Sequence, residues 1–286
     1  MPPKSVLVTG CSAGGIGAAL ATTLAKHGHF VYATARDTSK IPAGLSDLSN
    51  VIVVPLDVSS TPSVTEAAKV VSESGHGLDV LVNNAGVGYA MPILDLDIDK
   101  AKTVYEANVW GPIRTVQAFS DLLIKSRGRV VNISTVGAVL NLPWISTYSA
   151  SKAALTLQSE ALRFELAPFG VSVLTIMSGI INTNFHNNDP GATIQLPASS
   201  RYSSIQNIIT GWANGKSKPD GISAEGFAEH ILDDVVNSGK SGLAWKGPNA
   251  GSVKFAKWLM PASMIDSTLK KGQGLEELAK NFSKSR

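Results

Sequence analysis

Short β-branched apolar runs alternate along this chain with longer segments whose apolar positions recur at helical spacing. The runs predict strands at Ser5–Thr9, Phe30–Thr34, Val51–Leu56, Leu78–Val82, Arg129–Ser134, Val171–Met177 and Leu243–Lys246. The spaced segments predict helices over Ile16–His27, Thr61–Ser74, Ile98–Ser126, Tyr148–Pro168 and Ala224–Ser238. Strand and helix in succession imply parallel strands joined by crossovers, so the expected fold class is α/β. Seven parallel strands would form one doubly wound sheet with helices on both faces. Ligands in such sheets gather beyond the strand C-termini.

Residues with chemistry fall at those ends. Ser5-Val6-Leu7-Val8-Thr9 runs into Gly10-Cys11-Ser12-Ala13-Gly14-Gly15-Ile16-Gly17 and then into a helical pattern. Strand, glycine turn and helix in that order are Rossmann-like, because bare backbone lets a pyrophosphate approach a helix N-terminus. Asn83-Asn84-Ala85-Gly86 follows the fourth strand, Asn108 lies in the long third helical stretch, and Ser134 ends the fifth strand. A hydroxyl there could polarise a substrate carbonyl. Tyr148 and Lys152 stand four residues apart, so on a helix they share one face. A cation beside a phenol favours the phenolate, which makes tyrosine usable as an acid–base group.

Together, Thr-Gly-x-x-x-Gly-x-Gly, Asn-Asn-Ala-Gly, Asn, Ser and Tyr-x-x-x-Lys resemble the short-chain dehydrogenase/reductase family over Lys4 to Thr183. The glycine loop departs from that pattern by one inserted residue, with Gly14 the insertion and Gly15 and Gly17 the second and third glycines. A second departure is Ser178-Gly179 in place of Pro-Gly after the sixth strand. Both occur in a subgroup that resembles the fungal NADPH-dependent 1-acyldihydroxyacetone-phosphate reductases. The resemblance implies Asn108, Ser134, Tyr148 and Lys152 as catalytic residues, with Asn108 anchoring a water that links Lys152 to solvent. It implies a nicotinamide cofactor held by Gly10, Ser12, Gly15, Ile16, Gly17, Arg36, Asp57, Val58, Asn84, Ala85, Gly86, Tyr148, Lys152, Ile181 and Thr183. Asp57 would meet the adenine, and Ile181 and Thr183 the carboxamide; helix capping is the competing role for Asp57.

Charge argues for which cofactor. NAD-selective sites end the second strand in an acid, whereas Thr34-Ala35-Arg36 offers alanine and then a guanidinium suited to a 2′-phosphate. NADPH is therefore expected, with Asp37 lying past the strand. The expected reaction is reduction of a ketone by hydride transfer, Tyr148 supplying the proton. A rival sits in the same loop: Gly10-Cys11-Ser12-Ala13-Gly14 matches a serine-hydrolase elbow, with His186 or His230 available downstream, but without a His-Gly-Gly segment.

At 286 residues and 44% apolar content the chain can bury one domain core. The core would span residues 4–183, a lid 182–222, and a C-terminal extension 253–286. A net charge of +3 without a basic cluster argues against a nucleic-acid partner. The five histidines have no metal-ligand spacing, and lone Cys11 forbids an internal disulfide and suits a reducing compartment. An intracellular setting is expected, cytoplasmic or peripheral on lipid droplet or endoplasmic reticulum. The small-molecule ketone should be hydrophobic or lipid-like, because Val136 to Ile145 beside the site is almost wholly apolar. Two ketones stay open: an acyl dihydroxyacetone phosphate, for which Arg201, Lys216 and Lys218 are the nearby cations, or a natural-product or steroid-like intermediate. The tail from Val253 to Leu278 carries Phe255, Trp258, Leu259, Met260, Met264, Ile265 and Leu269 among lysines and acids. It could close the pocket, join a homo-oligomer or lie on a membrane, and Pro261 divides it.

Overall fold

A computed structural model describes residues 2–185, 194–237 and 239–284. Seven strands form one sheet in the order β3-β2-β1-β4-β5-β6-β9: β1 Ser5–Val8, β2 Phe30–Ala35, β3 Val51–Pro55, β4 Val80–Asn83, β5 Arg129–Thr135, β6 Ser172–Ser178 and β9 Gly242–Lys246. Every pairing is parallel, Val8 opposite Ala33 and Val82, and Thr135 opposite Ser178. A small ladder, β7 Ile181–Asn182 with β8 Ile222–Ser223, stands apart. The helices are α1 Ile16–Lys26, α2 Ala43–Ser46, α3 Thr61–Glu73, α4 Ile98–Tyr105, α5 Gly111–Ser126, α6 Ser146–Leu166, α7 Gln206–Ala213, α8 Ala224–Val236, α9 Ala250–Leu259, α10 Ala262–Leu269 and α11 Leu275–Lys284.

The two faces of the sheet are read off alternate residues, as the two-residue period of a strand requires. Val6 and Val8 of β1, with Val31, Val80 and Val131, pack under α1 and α8 around Leu20, Leu24 and Phe227. Leu7, Tyr32, Leu81 and Val130 face the other way, against Val64 of α3 and Phe119 of α5. Phe119 is fully buried, and burying such a side chain contributes about 1.5–3 kcal/mol.

Two expectations change in the structure. The single helix predicted over 98–126 is interrupted by a π-helical turn at Glu106–Trp110, a feature that leaves no trace in an i, i+3, i+4 pattern. The segment after Asn182 holds regular elements that the pattern of apolar runs does not predict, α7 and the β7–β8 ladder, where it is described. Residues 186–193 of that segment, and Ser238 at the end of the expected last helix, lie outside the described residues. Pro261 divides the tail as its sequence implies, capping α10 after α9 stops at Leu259. The outer side of α9 exposes Phe255, Trp258 and Leu259. No helix among the described residues is long and apolar enough to cross a membrane.

The turn between β1 and α1 is closely packed. Gly10 has φ +75°, and a Cβ on Gly17 would lie 2.4 Å from both Gly10 O and Asn84 Nδ2. Overpacking of that kind costs about 1–3 kcal/mol, against the gain of about 1 kcal/mol that alanine brings to a helix. Gly17→Ala is therefore expected to lower the melting temperature; an unchanged or raised value in thermal unfolding would show that the turn has room.

Candidate active site

The C-terminal ends of β1 to β6 open into one cavity of about 820 Å³. At its floor, Thr9 and Asn84 tie β1 to β4. Thr9 Oγ1 accepts from Asn84 N and Ala85 N, each at 2.9 Å, while Asn84 Nδ2 donates to Thr9 O at 2.8 Å. The loop that follows is pinned by Asn108, whose side chain accepts from Val87 N and donates to Val87 O, both at 2.9 Å, and to Ser151 Oγ at 3.0 Å. Asn108 is fully buried inside the π-helical turn, and the extra residue of that turn is what aims it. Its side chain acts as a positioning group between the loop and α6.

Ser12, Gly15, Ile16 and Gly10 line one end of the cavity, where α1 begins. No side chain caps that helix at Gly15, so its first N–H groups face the cavity unmatched. A bound pyrophosphate fits such an end through backbone hydrogen bonds and the helix dipole. Gly14, the inserted residue, has φ +71°, and its carbonyl accepts from Asn184 N at 2.9 Å, so the insertion meets the start of the lid. Gly17 does not line the cavity; it packs on Gly10.

Arg36 and Lys40 stand together at the rim beyond β2. Asp37 caps the turn Thr38–Lys40: its Oδ1 accepts from Ser39 N at 3.1 Å and Ser39 Oγ at 2.6 Å, bonds that hold its pKa down. The carboxylate is thereby engaged locally, leaving two cations at the site of a ribose 2′-substituent. Lys40 escaped the sequence reading because it follows the strand by five residues and matches no motif. Asp57 accepts from Ser59 N at 2.9 Å, while Ser60 caps α3, so Asp57 is not that helix's cap. Asp57, Val58, Asn84, Ala85, Gly86, Ile181 and Thr183 all line the cavity.

Tyr148 and Lys152 lie one turn apart near the start of α6, and both reach the cavity. Lys152 Nζ donates to Ile133 O at 2.9 Å. Burial pushes Tyr148 up to about 12 and Lys152 down to about 8. The expectation that Lys152 lowers the tyrosine pKa is thus corrected for the cofactor-free chain, because the ammonium is directed at a carbonyl and desolvation dominates. At neutral pH Tyr148 is a phenol, the form able to give a proton.

Ser134 needs a larger correction. It is only 2% exposed, and its hydroxyl meets Thr156 Oγ1 at 2.8 Å and Lys152 O at 3.4 Å. Thr156 itself donates to Lys152 O at 2.8 Å, so the serine proton goes to Thr156. Alternation along β5 turns position 134 toward α6 and leaves Thr135, half-buried, at the strand end. Thr135 Oγ1 accepts from Gly137 N at 3.2 Å, and its proton has no protein acceptor among the described residues. The hydrolase reading of Ser12 gains nothing: His186 lies outside the described residues, His230 is exposed on α8, and no histidine hydrogen-bonds Ser12 among the described residues. No cluster of potential metal ligands occurs among the described residues.

The substrate end is built from Tyr89, Leu140, Leu142, Ile145 and Trp212, with Leu269 and Gln273 from the C-terminal segment. The tail therefore contributes to the wall of this cavity. Of the three cations expected near a phosphate, only Lys218 lines the cavity, and its Nζ donates to Ile181 O at 3.0 Å.

A family model described as short chain dehydrogenase matches residues 4–192. The chain belongs to that family. A short-chain dehydrogenase of Penicillium crustosum is 40% identical over 91% of this chain and 94% of its own. The NADPH-dependent 1-acyldihydroxyacetone phosphate reductase of Schizosaccharomyces pombe is 36% identical over 93% and 90%. Among solved structures, a short-chain dehydrogenase from Streptomyces avermitilis superposes with a TM-score of 0.75 at 28% identity, covering 98% of both chains. This family member is an oxidoreductase.

A buried lysine is a stability liability whose pH window can be stated. Because its folded-state pKa is near 8 and the free value is 10.5, the unfolded chain binds more protons between those values. Stability should therefore rise with pH across that window, the charged form costing about 3 kcal/mol below it. In cofactor-free protein, Lys152→Met should melt above wild type at pH 7, with the gap closing by about pH 10.5. A variant that melts lower at pH 7 would mean the ammonium is fully compensated by its hydrogen bonds.

Proposed function

We propose that this enzyme is an NADPH-dependent reductase of a bulky, largely apolar ketone, which it converts to the secondary alcohol. The observation that carries this reading is one cavity holding a protonated Tyr148, the buried Lys152, the uncapped α1 N-terminus and the Arg36–Lys40 pair. When bound, the cofactor supplies hydride to the carbonyl carbon. Tyr148 gives its phenolic proton to the carbonyl oxygen, and Thr135, rather than Ser134, donates the second hydrogen bond that polarises it. Lys152 holds positive charge beside the phenol as it loses its proton. Asn108 keeps the Val87 loop and α6 in register, so both donors meet one oxygen. NADPH is supported by the two cations beyond β2, by the engagement of Asp37 with Ser39 there, and by the name of the fission-yeast relative.

A second reading, reduction of an acyl dihydroxyacetone phosphate, is favoured by that same relative and by Lys218 and Lys271 on the cavity wall. Purified protein should be tested for NADPH oxidation with such a lipid and with a bulky uncharged ketone side by side. Turnover of the lipid alone would select the second reading, and turnover of neither would sink both.

With the accepted ketone, Tyr148→Phe should lower kcat by about 10²–10⁴ and Thr135→Val by about 10²–10³. Ser134→Ala should stay close to wild type; a loss as large as that of Thr135→Val would return the polarising role to Ser134. Arg36→Ala should raise KM for NADPH by about tenfold or more and leave KM for NADH nearly unaffected. An equal loss for both cofactors would place Arg36 away from the 2′-phosphate.

A further inference from the structure

Three stretches distant in sequence meet at the substrate end of the cavity: the loop after β5, α7, and the turn between α10 and α11. They build a third apolar cluster, separate from the two that hold the sheet, with Trp144, Ile205 and Ile209 buried and Leu275 and Leu278 packed against them. In such a cluster each indole N–H needs an acceptor. Both tryptophans find it on one residue. Trp144 Nε1 donates to Gln273 O at 3.2 Å, and Trp212 Nε1 donates to Gln273 Oε1 at 2.7 Å.

Gln273 is 9% exposed and is flanked by Gly272 and Gly274, at φ +72° and +76°. That left-handed pair folds the chain so that the Gln273 carbonyl and amide both turn inward. A Cβ on Gly274 would come 2.7 Å from Ile208 Cδ1, so the turn sits hard against α7. Trp144 is itself left-handed, at φ +70°, a conformation costing about 1–2 kcal/mol for a side-chain-bearing residue. Met91 N, donating to Trp144 O at 2.6 Å, and the bond to Gln273 hold it there. Leu269, Gly272 and Gln273 line the same cavity as Tyr148.

We propose that Gln273 is a specificity-determining residue: it fastens the C-terminal turn to Trp144 and Trp212 and so fixes how far the cavity extends from Tyr148. This rests on the ketone-reductase reading. A bulky ketone reaches the wall that Gln273 holds in place, whereas a small one is bounded by Tyr148 and Thr135.

Gln273→Leu removes the side-chain acceptor, Trp212→Phe removes its donor, and Gln273→Glu keeps an acceptor. The first two should each lower kcat/KM for a bulky ketone relative to a small one by about tenfold, through KM, with kcat altered less than about twofold. Because both break one bond, the double variant should be no worse than either single variant. Gln273→Glu should recover most of the loss. Indole N–H exchange followed by NMR, with no substrate present, should quicken at Trp212 in Gln273→Leu. Losses that add, a KM change equal for both ketones, or unchanged indole exchange would overturn the proposal. Lack of turnover by wild type with any ketone is a different result: it brings down the reductase reading and the specificity claim that rests on it.

Discussion

The hydrogen bonds between Thr9 and Asn84 are the constraint on which the site depends. In a doubly wound sheet the chain leaves β1 toward one side and β4 toward the other, so a crevice must open above that pair. An open crevice invites the two strand ends to splay. Thr9 Oγ1 and Asn84 Nδ2 prevent this by matching the backbone groups that the parallel ladder leaves over there. Gly10 and Gly17 then allow α1 to start directly above the join. The uncapped N-terminus of α1, the Gly86–Val87 loop and the start of α6 are all placed relative to that knot. Asn108 repeats the device one loop further on, with its amide closing a ring on Val87.

Burial then decides the chemistry. A phenol and an ammonium share a pocket wall formed largely of carbon, so both titrate away from their charged forms. For a reductase this is favourable, since the ketone needs a proton rather than a base. The cation is kept by a single carbonyl, Ile133 O, at the end of β5. That strand therefore serves three groups at once: Ile133 through its backbone, Ser134 through its hydrogen bond to Thr156, and Thr135 through a hydroxyl whose proton has no protein acceptor among the described residues.

Much of this was legible from residue order alone. Parallel strands buried on both faces read as unbroken apolar runs, and the glycine turn, Asn84 and the Tyr148–Lys152 spacing are local signals that survive folding unchanged. What failed was whatever depends on a one-residue phase. Ser134 and Thr135 are adjacent hydroxyls at a strand end and both line the cavity, and only the direction of the pleat tells that Ser134 is taken up by Thr156 on α6 while Thr135 is not. The π-helical turn around Asn108 is likewise a one-residue insertion, invisible to helical periodicity. Gln273 could not be found at all, because its partners Trp144 and Trp212 are distant in sequence and the contact exists only once α7 and the tail have docked.

Those failures divide the molecule along a physical line. The sheet and its two apolar clusters hold the groups proposed to act on the reacting atoms, Thr135 at the end of β5 and Tyr148 and Lys152 on the α6 helix that packs against it. The third cluster carries none of them; it joins a strained loop, a helix of the lid segment and the C-terminal turn through two indole hydrogen bonds. Trp144 is buried in it and Ile145, the N-cap residue of α6, packs against it, so this assembly adjoins the helix that carries Tyr148 and Lys152.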